Sequence, residues 1–267
     1  MKNLLYLSLV LILVLLIDGC KKDKGDPPVL PPAESMSIDF SNFNYQAKST
    51  TLPSAKGAEN SNWEFAALAA GTWNLILGTT LFVPVMTFHL ATDQVPSFVS
   101  ENLWQWSYSS TIANVVYKAR LTGEIKGSSV DWKMYVTKEG SFTDFLWFQG
   151  TSQVDGSKGY WILNESNTSP AQLLRIDWEK SGATVGKIKY TFVKNTEFKD
   201  SFIEYGLTTT AYNAYYKIHY YDFIQEKFID VNVEWSTNGH NGRIMSSGYL
   251  DGVWHCWDSN KVNSECQ

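Results

Sequence analysis

The side chains that could do chemistry in this chain are few and scattered. Its four histidines, His89, His219, His240 and His255, fall in no metal-binding or catalytic-triad spacing. His255 and Asp258 flank Trp257, and His240 lies in a Gly/Asn turn. Two sulfurs, Cys256 and Cys266, with only His255 nearby do not make the four-ligand spacing of a zinc site. In an oxidising compartment they offer instead a disulfide closing a short C-terminal loop, worth about 2–3 kcal/mol by loop-closure entropy. Paired carboxylates for hydrolysis can be assembled from distant strands, so spacing does not reveal them. Asp144, Glu165, Asp177, Glu204 and Asp222 are the candidates, and a solvated surface explains each equally well. A hydrolase with a carboxylate site stays an alternative; no catalytic residue is assigned, and no metal or cofactor is expected.

The third cysteine, Cys20, stands in a different context. Met1-Lys2-Asn3 precedes an apolar run from Leu4 to Ile17, a basic start and a stretch short for a membrane span. The run closes on Ile17-Asp18-Gly19-Cys20. It resembles the bacterial lipobox, in which a small residue precedes a cysteine that receives a diacylglyceryl group; Gly19 and Cys20 match, and Asp18 departs from the pattern. The resemblance covers the first twenty residues. It implies cleavage of residues 1–19, lipidation of Cys20 (with palmitate-type acyl chains), and a cell-envelope address. Lys21 is not the aspartate that resembles an inner-membrane retention signal, which favours the outer membrane of a Gram-negative cell. Charged Lys21–Asp26 and the prolines Pro27, Pro28, Pro31 and Pro32 then read as a tether over residues 20–36.

What remains, 37–267, is read as one β-rich domain. Aromatics make up 15% of the chain and charged residues only 18%, so a large core can form. The formal net charge of −5, without a basic stripe, argues against a nucleic-acid partner. Near 61–92 the period is helical. Ser61-Asn62-Trp63-Glu64 has the form of a capping box, and Gly78 and Pro84 interrupt the apolar pattern. Two short helices packed on a sheet are therefore expected, rather than a second membrane span.

From Asn102 onward the period is two. Trp132, Met134 and Val136 alternate with Lys133 and Tyr135; Leu174, Ile176 and Trp178 with Arg175 and Asp177; Ile229, Val231, Val233 and Trp235 with Asp230, Asn232 and Glu234. Short Gly-bearing links separate the runs, which predicts hairpins and an antiparallel up-and-down meander of about eleven strands. A sheet that large is expected to curl into a barrel or half-barrel. At the level of architecture it resembles the lipocalins and envelope lipoprotein carriers, which implies a ligand cavity.

The candidate binding face is Trp132, Met134, Trp178, Tyr190, Phe192, Tyr216 and Trp235, with Ala119 and Gly123 leaving space beside large rings. Phe145-Leu146-Trp147-Phe148 and Gly159-Tyr160-Trp161-Ile162 carry apolar residues on both parities, so some of these should leave the core and offer a patch for glycan or protein. The expected function is a non-catalytic, lipid-anchored binding module for an amphipathic or glycan ligand. A structural subunit riding on an outer-membrane complex, with an envelope protein as partner, is the other reading.

Overall fold

A computed structural model describes residues 25–43, 60–112 and 114–266. The lipobox-like segment and Cys20 lie outside the described residues. Fourteen antiparallel strands follow one another in strict sequence order in a single sheet. They are β1 (Ser97–Ser100), β2 (Leu103–Ile112), β3 (Val115–Lys126), β4 (Ser129–Lys138) and β5 (Phe142–Gln153). Next come β6 (Lys158–Asn164), β7 (Gln172–Ser181), β8 (Thr184–Phe192), β9 (Phe202–Leu207) and β10 (Ala214–Asp222). The last four are β11 (Lys227–Trp235), β12 (Gly242–Ser246), β13 (His255–Trp257) and β14 (Asn263–Ser264). The meander agrees with the two-residue period; the closed barrel does not occur, because β1 and β14 do not pair. Both margins are short, which limits the row of unpaired backbone groups that an open sheet exposes.

One face of this sheet is packed and the other is wet, as alternation requires. The packed face holds a repeated device: an indole laid across a glycine on the neighbouring strand. Gly123 pairs with Trp132, Gly150 with Trp161, Gly159 with Trp178 and Gly242 with Trp257. A Cβ built on Gly123 would stand 2.6 Å from the Trp132 ring, and one on Gly159 would stand 2.8 Å from Trp178. The space expected beside Gly123 is therefore filled by the Trp132 ring. Large flat rings on a pleated surface need a residue without a side chain opposite them.

The mixed parity of Phe145–Phe148 has a specific cause. The register between β4 and β5 shifts between Met134 and Tyr135: Met134 faces Phe148 and Tyr135 faces Leu146, leaving Trp147 as the extra residue. A bulge resets the alternation, so Phe148 and Phe145 sit opposite the inward residues Met134 and Val136. Trp147, Phe142 and Phe145 then gather into a half-buried cluster with centroids 5.7–5.9 Å apart. In the second segment no bulge is needed. Trp161 is buried, while Tyr160 turns outward beneath the Arg175 guanidinium at 4.0 Å.

The packed face is covered by one helix, α1 (Ser61–Thr92), not by two. Gly78 and Pro84 do not end it, although each weakens a helix, by about 1 and 3 kcal/mol respectively. Continuity is favoured by a single stripe of Trp63, Ala66, Ala70, Trp73, Leu77, Leu81, Pro84, Phe88 and Ala91 that stays buried throughout. Breaking the helix would turn part of that stripe away from the sheet. Its start also differs from the capping box. The first residue's neighbour, Asn62, receives a hydrogen bond on its side-chain oxygen from Tyr249 Oη (2.8 Å) and donates from Nδ2 to the Cys256 carbonyl (2.8 Å). Asn62 N donates to Asn263 Oδ1, so the C-terminal strands satisfy the helix end that Ser61 was expected to cap.

Beside α1 runs the N-terminal segment, which becomes part of the core from Pro28 onward. Met36, in a 3-10 turn at Ala33–Met36, is wholly buried, and Ser35 Oγ accepts a hydrogen bond from Trp161 Nε1 at 3.0 Å. A second turn, Ser41–Phe43, buries Phe43 edge-on against Trp235 at 4.9 Å. Among the described residues, then, only Gly25–Pro27 of the expected tether are exposed without interruption.

Candidate functional site

Between α1 and the inner ends of β8, β10 and β11 lies an apolar cavity of about 380 Å³. Such a volume is at the lower end of small-molecule sites, which run from roughly 300 to 1,000 Å³. Phe65, Leu68, Ala69, Thr72, Trp73 and Ile76 form its helical wall, at the spacing that puts residues on one side of a helix. Phe192, Ile218, Tyr220 and Val231 form the sheet wall. This stripe is offset from the core stripe of α1, so the helix has two apolar faces. Nothing charged interrupts it between Glu64 and Asp93.

The cavity has few polar groups, and one of them is unpaired. Ser201 is buried and lines the cavity, and its hydroxyl has no hydrogen-bond partner. A buried hydroxyl left unpaired costs about 1–3 kcal/mol, which a ligand atom could recover. Tyr220 is neutral across the working pH range: burial raises its phenol first, and the Asp222 carboxylate raises it further. Asp222 itself is occupied. Its Oδ1 accepts from the backbone amides of Ile224 and Gln225, closing the β10–β11 hairpin.

The mouth is apolar as well. Trp73, Phe192, Phe198 and Phe223 form a chain of rings leading outward, at 5.5, 6.4 and 5.0 Å. At its end Phe223 is 57% exposed, and Ile224 at the hairpin tip is 93% exposed. Leu75 of α1 is also bare, at 71%. An apolar tip beside an apolar cavity is a feature that folding alone does not require.

The candidate face read from the alternation is distributed, not gathered. Phe192 lines this cavity. Tyr190 is the floor of a second groove of about 250 Å³ between α1 and Met36–Phe40, and its buried hydroxyl also lacks a partner. Trp235 borders a third pocket. Trp178 borders a shallow depression beside Tyr160 and Asp177. Trp132 and Met134 are core: the Trp132 indole donates to Ser152 Oγ at 2.9 Å, and Met134 is wholly buried. Tyr216 is core too, with its hydroxyl donating to the Asp39 carbonyl at 2.7 Å. The cavity residues that alternation did not flag, Leu68, Ala69 and Ile76, carried a signal in the second stripe of α1. Phe198 and Ser201 carried none, because both lie in the β8–β9 connection, outside either period.

Cys256 and Cys266 are bonded, with Cα atoms 5.2 Å apart. The carboxylates stay separate. Asp144 is held by Arg120, Asp177 by Arg175, Glu165 by Lys194, and Glu204 accepts from Tyr215 Oη at 2.9 Å. Lys194 holds the Glu165 carboxyl below its ordinary value. Two histidines face aspartates, His219 on Asp230 and His255 on Asp251, each at 2.7 Å. Among the described residues no hydroxyl or thiol hydrogen-bonds to either ring, and no group of three or more His, Cys, Asp or Glu side chains is placed to hold a metal. His219 is instead stacked between Phe202 and Phe228, at 5.4 and 4.4 Å.

The chain matches no protein-family model, no curated protein and no solved structure. A functional reading therefore rests on the cavities themselves.

Proposed function

We propose that this is a lipid-anchored protein of the cell envelope, facing from an outer membrane, that binds an amphipathic small molecule between α1 and β8–β11. In this reading the sheet bends round the helix as a half-barrel, and Cys20 carries the acyl anchor. The supporting observation is the apolar cavity of about 380 Å³, whose lining Phe198 ring is in contact with the exposed Phe223 of the hairpin tip. The unpaired Ser201 hydroxyl would meet the ligand's single polar atom, and no charged side chain except the engaged Asp222 lines the space.

The test uses dodecanol and lysophosphatidylcholine as probes. Either should stabilise the protein, by about 2.7 kcal/mol at a hundred times its dissociation constant. Ala69→Trp fills the cavity from the helix side and should abolish the shift while leaving the fold intact by circular dichroism. No shift with either probe, or a shift that survives Ala69→Trp, rejects the reading.

A second reading, an accessory subunit of an envelope complex, is favoured by the same hairpin tip, since Ile224 is bare and suits a protein groove. Crosslinking from position 224 in whole cells separates the two: a single envelope protein captured there supports the subunit, and recovery of lipid supports the binding module.

A further inference from the structure

We propose that the pocket of about 330 Å³ beside the start of α1 is a second binding site, for a pyranose sugar carrying a carboxylate. It is walled by Trp63, Trp235, Trp257 and Phe43, all buried. Flat indole walls match the apolar C–H face of a sugar ring. The polar residues around them are Ser41, Asn42, His240, Ser259 and Lys261. Among the described residues no Asp or Glu lines the pocket, and Lys261 is the one Lys or Arg that does.

Three further observations point to a ligand. Trp235 borders the pocket at 2% exposure, and its buried indole N–H has no acceptor, whereas the Trp257 N–H is satisfied by the His240 carbonyl at 2.9 Å. An indole N–H is only a donor, so what it lacks is an acceptor atom. Next, His240 and Lys261 both border the pocket with left-handed backbone, at φ 59° and 68°. Such conformations cost about 1–3 kcal/mol in non-glycine residues and concentrate at ligand sites. Finally, the Cys256–Cys266 disulfide closes the loop that carries Trp257, Ser259 and Lys261. That bond fixes one wall of the pocket against the β12–β13 pairing.

The chemistry of the occupant follows. Its faces are apolar, its edge is rich in acceptors, and it carries a negative charge for Lys261, whose Nζ now sits 4.0 Å over the Trp63 ring. Benzoate would offer the charge and the flat faces but acceptors on one edge only. A sugar acid offers acceptors all round the ring, toward Asn42 and Ser259 as well as Trp235.

Methyl glucuronide, methyl glucoside and benzoate are titrated into the protein, following tryptophan fluorescence and saturation-transfer NMR. Methyl glucuronide should bind saturably, about ten-fold tighter than methyl glucoside, and tighter than benzoate. Lys261→Gln, at a half-buried position, should erase the preference for the acid. Trp235→Phe should weaken both sugars about ten-fold while keeping the ring. Ala69→Trp should leave sugar binding unchanged, so failure here is distinguishable from failure of the lipid-binding reading. Absence of saturable binding, equal affinity for the two sugars in the unsubstituted protein, tighter binding of benzoate, or indifference to Lys261→Gln overturns the proposal.

Discussion

At the scale of single residues, this protein turns on glycines that face rings and on tyrosines buried in the core. Gly150 is the tightest case, since an added Cβ would meet the Tyr160 carbonyl oxygen, a backbone atom that cannot swing aside. Gly150→Ala should cost about 3 kcal/mol by overpacking, read as a lower urea midpoint at unchanged slope. The buried tyrosines give a pH signature. Burial raises the phenols of Tyr190 and Tyr216 well above their ordinary value. Because the folded pKa is the raised one, the stability they confer is whole below the unfolded value near 10 and is lost as pH climbs toward the folded value. Each should remove about 1.4 kcal/mol per pH unit above pH 10. Urea unfolding at several alkaline pH values, with a further rise in tyrosinate absorbance on unfolding as these two phenols are released, checks this.

At the scale of elements, the informative pieces are the ones that break a local rule. The Trp147 bulge was legible only as a contradiction, apolar residues on both parities, because a single extra residue shifts register without marking itself in composition. In α1, Gly78 and Pro84 are genuine local interruptions, and only the continuous buried stripe outweighs them. Ile224 at the β10–β11 hairpin tip is the converse, an apolar side chain left 93% exposed. Ile224→Asn should therefore change stability by less than about 0.5 kcal/mol. On the proposed function it should nevertheless weaken dodecanol uptake several-fold, which fluorescence displacement would measure. The disulfide ties β13 to the segment that follows β14. Replacing both Cys256 and Cys266 with Ser should cost about 2–3 kcal/mol, with the loss concentrated in amide exchange of β12–β14 and the start of α1, where Asn62 and Asn263 meet.

At the scale of the whole molecule, a sheet with two free margins is held by what lies across it. The helix and the segment from Pro28 to Phe43 together cover the inner face. Met36→Ala should accordingly cost about 2–4 kcal/mol, as in any core, and not the near-zero expected of a tether. Calorimetry of the variant decides between them. The anchor belongs to this scale too. On the proposed function Cys20→Ser should release the protein from membranes, and fractionation that stays unchanged would remove the lipid anchor from the account.

Alternation by itself determined the class of structure, because period two along the strands and short glycine-bearing links leave an antiparallel meander as the economical solution. It also pointed to the residues on the inner face, since parity is a local property; Trp132, Tyr190, Tyr216 and Trp235 are all buried there. The pairing of Cys256 with Cys266 was expected once Cys20 was assigned to the signal segment, and the two are bonded. What only the tertiary structure decided is how that face is divided. Whether a buried ring is core or cavity wall depends on what lies opposite it, and here that is α1, the N-terminal segment or a glycine on the next strand, each distant in sequence or invisible to its period. The open margins, the unbroken helix over Ser61–Thr92 and the division of the inner face into separate pockets are consequences of that cover among the described residues, and a covering layer is set by packing between elements rather than by the pattern within any one of them.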